Sequence, residues 1–259
     1  MAISPTGNTV AVGFENATVR IYDATGSLPP KGIRLHLSQH KECKNCPPVD
    51  TLSFSNDGLV LLGSTRTRTG VVQIFSSNFP FRDVQEMTSC RYTVPMHESE
   101  DNGVSSAIFQ PTAGGEGMIC ITTWTQSGTP VLVQSKGGYR SDIRPQGHQS
   151  KLGNRIQSAA FSPSGKELAL VNDKGHLYRI SNLNSLPMEI RKVATSKEFT
   201  TKSDSFSMSF VSLPEDGEAI ILAWTDASKG SAFVKTISVT STVRGYRFDF
   251  RKMRGIYVN

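Results

Sequence analysis

Cysteine is scarce in this sequence: four thiols, Cys43, Cys46, Cys90 and Cys120, are spread over 259 residues. A chain of that length buries enough apolar surface to fold without covalent staples, which excludes a disulfide-dense secreted scaffold. A basic, then apolar, leader is missing too, because Met1 is followed by the polar run Ser4-Pro5-Thr6-Gly7-Asn8. The cysteines are therefore expected to be reduced, the sequon Asn16-Ala17-Thr18 unused, and the protein intracellular, cytoplasmic or nuclear. No run is long and apolar enough to span a bilayer as a helix, so no transmembrane segment is predicted. The sequence has no G-x-S-x-G elbow, no H-E-x-x-H and no phosphate-cradling loop, since Ala160 stands where the glycine ahead of Gly165-Lys166 is required. Gly114-Gly115-Glu116-Gly117 precedes no helical pattern and reads as a turn. No catalytic residue and no cofactor is assigned on this basis. Charge of one sign is not concentrated either: the net charge of +6 comes from dispersed residues and reads as a solvated surface.

Turn formers are plentiful, with 22 glycines and 13 prolines among many Ser and Thr, and such a mixture suits many short strands. A unit recurs: an alternating strand, a Ser/Pro/Asn/Asp/Gly turn, a second apolar strand, a polar hairpin and a third strand. It runs through Ile3-Ser4-Pro5-Thr6-Gly7 with Thr18–Asp23, and through Leu52-Ser53-Phe54-Ser55-Asn56-Asp57-Gly58 with 71–75. It continues through Ala107-Ile108-Phe109-Gln110-Pro111, through Ala160-Phe161-Ser162-Pro163-Ser164-Gly165, and through Met208-Ser209-Phe210. The equivalent residues Ile3, Phe54, Phe109, Phe161 and Phe210 are 51, 55, 52 and 49 residues apart, a step too regular for unrelated hairpins. The stretch ahead of each aromatic leaves room for a fourth strand, as at Met188–Val193 before the fifth unit. Four strands per unit make a propeller blade, a sheet that needs radial neighbours to bury its two faces.

The segments at 161–169 and 18–26 resemble the WD40-repeat family, with Tyr22-Asp23 standing where the family has Trp-Asp. The family's Gly-His pair is not evident, and the step exceeds the family's period of about 40–45 residues. The resemblance implies an all-β fold, a β-propeller of about five recognisable WD40-like four-stranded blades, part of a larger or incomplete ring. We read 1–259 as one propeller domain with blades at about 1–30, 31–85, 86–140, 141–185 and 186–250. Met1 falls inside the innermost strand of the first blade, which suggests an N-terminally truncated member; Gly245–Phe250 alternates like a closing strand.

His36, His40, Cys43 and Cys46 form the most specific local pattern, since all four side-chain types ligate zinc and tight spacing can close a tetrahedral site. Four protein ligands leave no open position, so zinc there braces a loop; the plainer reading is a surface connector with two free thiols. Arg247, Arg251 and Arg254 interleave with Tyr246, Phe248 and Phe250 as phosphate-binding surfaces do, and Arg66 and Arg68 add basic charge in the second unit. Lysine and arginine on a solvated edge strand give the same pattern. The acidic run His97–Asp101 lacks the oxygen spacing of a calcium loop. Trp124 and Trp224 read as blade-packing residues, Cys90 as a loop thiol and Cys120 as a strand thiol. The resemblance implies a non-catalytic protein–protein interaction scaffold with protein partners. A basic-surface binder of nucleic acid or phosphoinositide, and the propeller domain of a hydrolase, are the alternatives.

Overall fold

Apolar and polar residues alternate at a period of two and are interrupted by Ser, Asn, Asp and Gly, which dictates short strands joined by tight turns. The computed structural model realises them as antiparallel sheets. It describes residues 1–23, 25–26, 33–36, 48–58, 60–65, 71–78, 88–93, 104–111, 117–123, 130–134, 140–143, 152, 155–184, 187–194, 205–213, 217–226 and 231–238. Among the described residues there is no helix. The chain divides into two compact units, Met1–Ile156 and Gln157–Asn259.

Unit 1 holds three four-stranded meanders. The first sheet is β1 (Ala2–Ile3), β2 (Thr9–Gly13), β3 (Thr18–Asp23) and β4 (Ile33–His36). The second is β5 (Val49–Phe54), β6 (Val60–Thr65), β7 (Val71–Asn78) and β8 (Thr88–Thr93). The third is β9 (Val104–Phe109), β10 (Met118–Thr123), β11 (Val131–Gln134) and β12 (Arg140–Asp142). The fourth sheet, in unit 2 apart from its first residue Ile156, is β13 (Ile156–Phe161), β14 (Leu168–Asn172), β15 (Leu177–Ser181) and β16 (Glu189–Ala194). The fifth shows three strands among the described residues, β17 (Ser205–Leu213), β18 (Gly217–Asp226) and β19 (Ser231–Ser238).

The blade boundaries differ from the sequence reading: β4, β8 and β16 fall in the ranges expected for the second, third and fifth blades, yet they pair with β3, β7 and β15 and complete the first, second and fourth sheets. Met188–Val193 was expected ahead of the fifth unit, but β16 pairs with β15 and completes the fourth sheet. The reason is that Glu189, Arg191 and Lys192 are exposed, so this strand carries little of the apolar pattern that would assign it to a neighbour. The cue that marks its sheet is the turn before it, where Asn182 takes the left-handed conformation at φ 57°.

The turn from first to second strand is built the same way in three sheets. Ser4 N–H donates to the Thr9 carbonyl (2.9 Å), Gly7 N–H to the Ser4 carbonyl (2.9 Å) and Thr9 N–H to Ser4 Oγ (3.1 Å). Ser55, Gly58 and Val60 repeat these bonds at 2.8, 2.9 and 2.9 Å, and Ser162, Gly165 and Glu167 at 2.9, 2.8 and 3.2 Å. The glycines sit at φ +75°, +72° and +69°, which only a residue without Cβ adopts cheaply, and Ser55 and Ser162 are fully buried. In the third sheet, where the loop is longer, Gln110 takes the serine's place: its Oε1 accepts the Met118 N–H at 3.0 Å.

Between turns the period of two sends successive side chains to opposite faces. Leu61 joins Ala11, Ala17, Val19, Ile21 and Phe54 between the first and second sheets. Its neighbour Leu62 joins Ala107, Phe109, Ile119, Ile121, Val131 and Val133 between the second and third. In unit 2, Ala169, Val171 and Leu177 meet Phe206, Phe210, Ile220, Leu222 and Trp224. Trp224 is thus the packing residue the sequence predicted. The sheets are tied by polar contacts as well: Val49 N–H donates to the Phe14 carbonyl at 3.1 Å, and Phe206 N–H to Gln157 Oε1 at 2.7 Å.

The contact at Val49 is tight. A Cβ on Gly13 would lie 2.6 Å from Val49 Cγ1 and 2.7 Å from its Cβ. Gly13→Ala is therefore expected to lower stability by about 1–3 kcal/mol through overpacking, and Val49→Ala in the same chain to restore part of it, as read from urea midpoints.

His176 supplies a pH dependence. Burial and the charges of Lys192 and Lys174 hold its pKa below the ordinary 6.5, with Asp173 opposing them. In the unfolded chain the ring takes up its proton near 6.5, so between the folded pKa and 6.5 the unfolded state binds more protons and stability rises with pH. This contribution is complete above the unfolded pKa and is lost as pH falls. A comparison of the parent chain with His176→Asn is expected to show a shallower loss of stability in the variant as pH is lowered from neutral.

Candidate functional site

The hairpin between β2 and β3 is held more rigidly than its length suggests. Phe14 N–H donates to the Thr18 carbonyl at 2.9 Å, and Thr18 N–H to Asn16 Oδ1 at 3.3 Å. The corresponding turn of the fourth sheet closes with Asn172 N–H on the His176 carbonyl and has Gly175 at φ 70°. Here that left-handed position belongs to Ala17, at φ 57°. A left-handed alanine costs about 1–2 kcal/mol, and burial of its methyl in the first core cluster offsets the cost. With the Phe14 carbonyl held by Val49, the Phe14 ring is turned outward and is 42% exposed.

Register then places charge beside the ring. Val12 pairs with Arg20, and Arg20 with Arg34, so the two guanidinium-bearing residues stand directly opposite one another across β3 and β4. Like charges so placed repel. Arg20 Cζ lies 5.9 Å from the centroid of the Phe14 ring, within cation–π range, and Arg34 Nη2 donates a long hydrogen bond of 3.5 Å to Thr18 Oγ1. Phe14, Glu15, Asn16, Thr18, Arg20 and Arg34 line an open depression of about 470 Å³. Among the described residues neither arginine has a carboxylate in ion-pairing range; the described pairs are Glu167–Arg179 and Glu189–Arg191 in unit 2. Beside the Glu15 carboxylate, the depression offers two planar cations, an aromatic ring and an amide, a set suited to holding a carboxylate beside an apolar group.

Most residues singled out in the sequence lie outside the described residues. His36 ends β4, paired with Thr18, while His40, Cys43 and Cys46 lie outside the described residues. Arg66, Arg68, Arg247, Arg251, Arg254, Trp124 and the acidic run 97–101 lie outside them as well. Cys90 is in strand β8, not in a loop as expected, because the outer strand of the second sheet extends through it. Cys120 is a strand thiol whose complete burial pushes its pKa up and leaves it unreactive. Among the described residues no three or more of His, Cys, Asp and Glu come together as metal ligands, and no helix is long and apolar enough to cross a membrane. Sequence reasoning missed Phe14, Arg20 and Arg34. The alternation Thr18-Val19-Arg20-Ile21-Tyr22 does turn Arg20 outward, but nothing local predicts that Arg34 lands opposite it.

Comparison with known proteins places this geometry in context. A family model described as "Domain of unknown function (DUF7099)" matches residues 1–238. No curated protein matches the chain. The β-propeller domain of Cps50 (Swd1) from Myceliophteria thermophila is similar in structure, with a TM-score of 0.60 at 15% identity over 95% of this chain and 69% of that one. Kuenenia stuttgartiensis hydrazine synthase is similar with a TM-score of 0.59 at 14% identity over 93% of this chain and 71% of that one. The all-β propeller architecture expected from the repeats is therefore established.

The opposed arginines predict the sign of a substitution. Arg34→Glu exchanges a like pair for an opposite one and is expected to raise stability by about 0.2–1 kcal/mol in urea unfolding at low salt. The gain should shrink in molar salt, where exposed charges are screened.

Proposed function

The chain belongs to the DUF7099 family, and for it we propose the role of a non-catalytic protein–protein interaction scaffold of WD40-like type. The observation that carries this reading is the aromatic–arginine depression on a braced hairpin of a propeller-type sheet. The sheet fixes the backbones of Phe14, Arg20 and Arg34, so binding has to order their side chains only, and aromatic and arginine side chains are those that most often anchor protein interfaces. The resemblance of residues 161–169 and 18–26 to WD40 repeats supports the same role. In this reading zinc on His36, His40, Cys43 and Cys46, where bound, braces the connection between the first two sheets. Arg66, Arg68, Arg247, Arg251 and Arg254 add basic contacts to the partner.

The test is affinity capture from the source cells with the tagged full chain, followed by mass spectrometry and nucleic-acid and lipid assay of what is retained. A defined set of proteins retained through moderate salt is expected. Retention of nucleic acid or acidic lipid alone, falling steeply as salt rises, or an empty eluate from a folded chain, overturns the scaffold reading.

A further inference from the structure

The face of the first sheet turned away from the second carries two adjoining rows. Ile3, Val10 and Tyr22 pair across β1, β2 and β3 to make an apolar row, with Ile3 57% and Tyr22 36% exposed. At the positions equivalent to Ile3, Phe54, Phe109, Phe161 and Phe210 are only 8–9% exposed, so in the first sheet the repeat's apolar register faces outward. The second row, Val12, Arg20 and Arg34, leads from that strip into the depression beside Phe14.

We propose that this depression takes the carboxylate of a partner protein's peptide segment in which an acidic residue stands beside an aliphatic or aromatic one. Charge complementarity identifies the occupant. Two arginines opposite each other in register, neither ion-paired to a carboxylate among the described residues, are relieved by an anion beside them, and their planar forks match a carboxylate's two oxygens. The apolar strip and the Phe14 ring receive the neighbouring side chain. Glu15, on the wall of the same depression, disfavours a polyanion more than a single carboxylate, because each added negative charge is repelled by it. The volume fits one or two side chains. This proposal rests on the scaffold reading for its partner but is tested separately from it.

Random peptides displayed on phage are panned on the full chain. Enriched peptides are then labelled and titrated by fluorescence anisotropy into the parent chain and into Arg20→Gln, Arg34→Gln and the double variant. Enriched peptides are expected to pair Asp or Glu with an adjacent aliphatic or aromatic residue, and to bind the double variant about tenfold or more weakly. Amidating that acid (Glu to Gln) in the peptide should weaken binding to the parent chain and leave binding to the double variant unchanged. The double variant's melting midpoint should equal or exceed the parent's, because a repulsion is removed, so lost affinity does not report unfolding. Enrichment without acidic residues, or equal affinity for parent and variant, overturns the proposal. So does competition by a single-stranded oligonucleotide or by phosphatidylserine vesicles as effective as that by unlabelled peptide. In the capture experiment, a double variant that retains the parent's protein set overturns the pocket and leaves the scaffold standing. A parent chain that captures no protein yet binds acidic peptides through the two arginines does the reverse.

Discussion

A β-sheet has two faces, and a strand with a period of two supplies side chains to both at once. In this chain the burial of those faces by successive sheets is the constraint on which the rest depends. Leu61 and Leu62, adjacent in sequence, belong to separate core clusters on opposite sides of the second sheet. A slip of one residue would exchange them and every neighbour in the strand, so the packing fixes the register, and the register fixes what stands opposite what. The closeness of the packing appears at Gly13, where the absence of a side chain lets Val49 approach and tie β5 to the β2–β3 hairpin.

The turns follow from that constraint. Once strand length is set by the sheets, each connection must reverse the chain within a few residues while keeping its buried polar groups bonded. Serine and a left-handed glycine achieve this at residues 4–9, 55–60 and 162–167 with nearly the same distances. Departures from the pattern are informative for the same reason. Gln110 replaces the serine where the loop lengthens, and Ala17 replaces a glycine where its methyl fills the core under an outward-facing phenylalanine. The second departure is the foundation of the arginine depression.

Architecture and chemistry make separate contributions to the functional reading. Similarity to a Cps50 (Swd1) propeller domain and to hydrazine synthase shows that the same sheet arrangement serves proteins of different kinds. The chemistry comes from particular side chains. Two arginines opposite each other in register, an aromatic ring beside one of them and an apolar strip along the same face describe a surface for a ligand that is negative at one point and apolar next to it.

By itself the sequence determined the all-β class, the repeating unit near 50 residues marked by Ile3, Phe54, Phe109, Phe161 and Phe210, and the packing role of Trp224. These are legible because periodicity and turn chemistry are local: alternation, Ser-x-x-Gly and aromatic spacing read directly along the chain. Tertiary structure alone decided that β16 completes the fourth sheet, that Cys90 is in a strand, and that Arg20 meets Arg34. Strand pairing across long connections depends on which faces must be buried, and an outer strand such as β4 or β16 carries few apolar residues to announce its partner. The zinc pattern and the C-terminal arginines drew attention because their residues are close in sequence, whereas the depression is built from Phe14, Arg20 and Arg34, which only the sheet brings together.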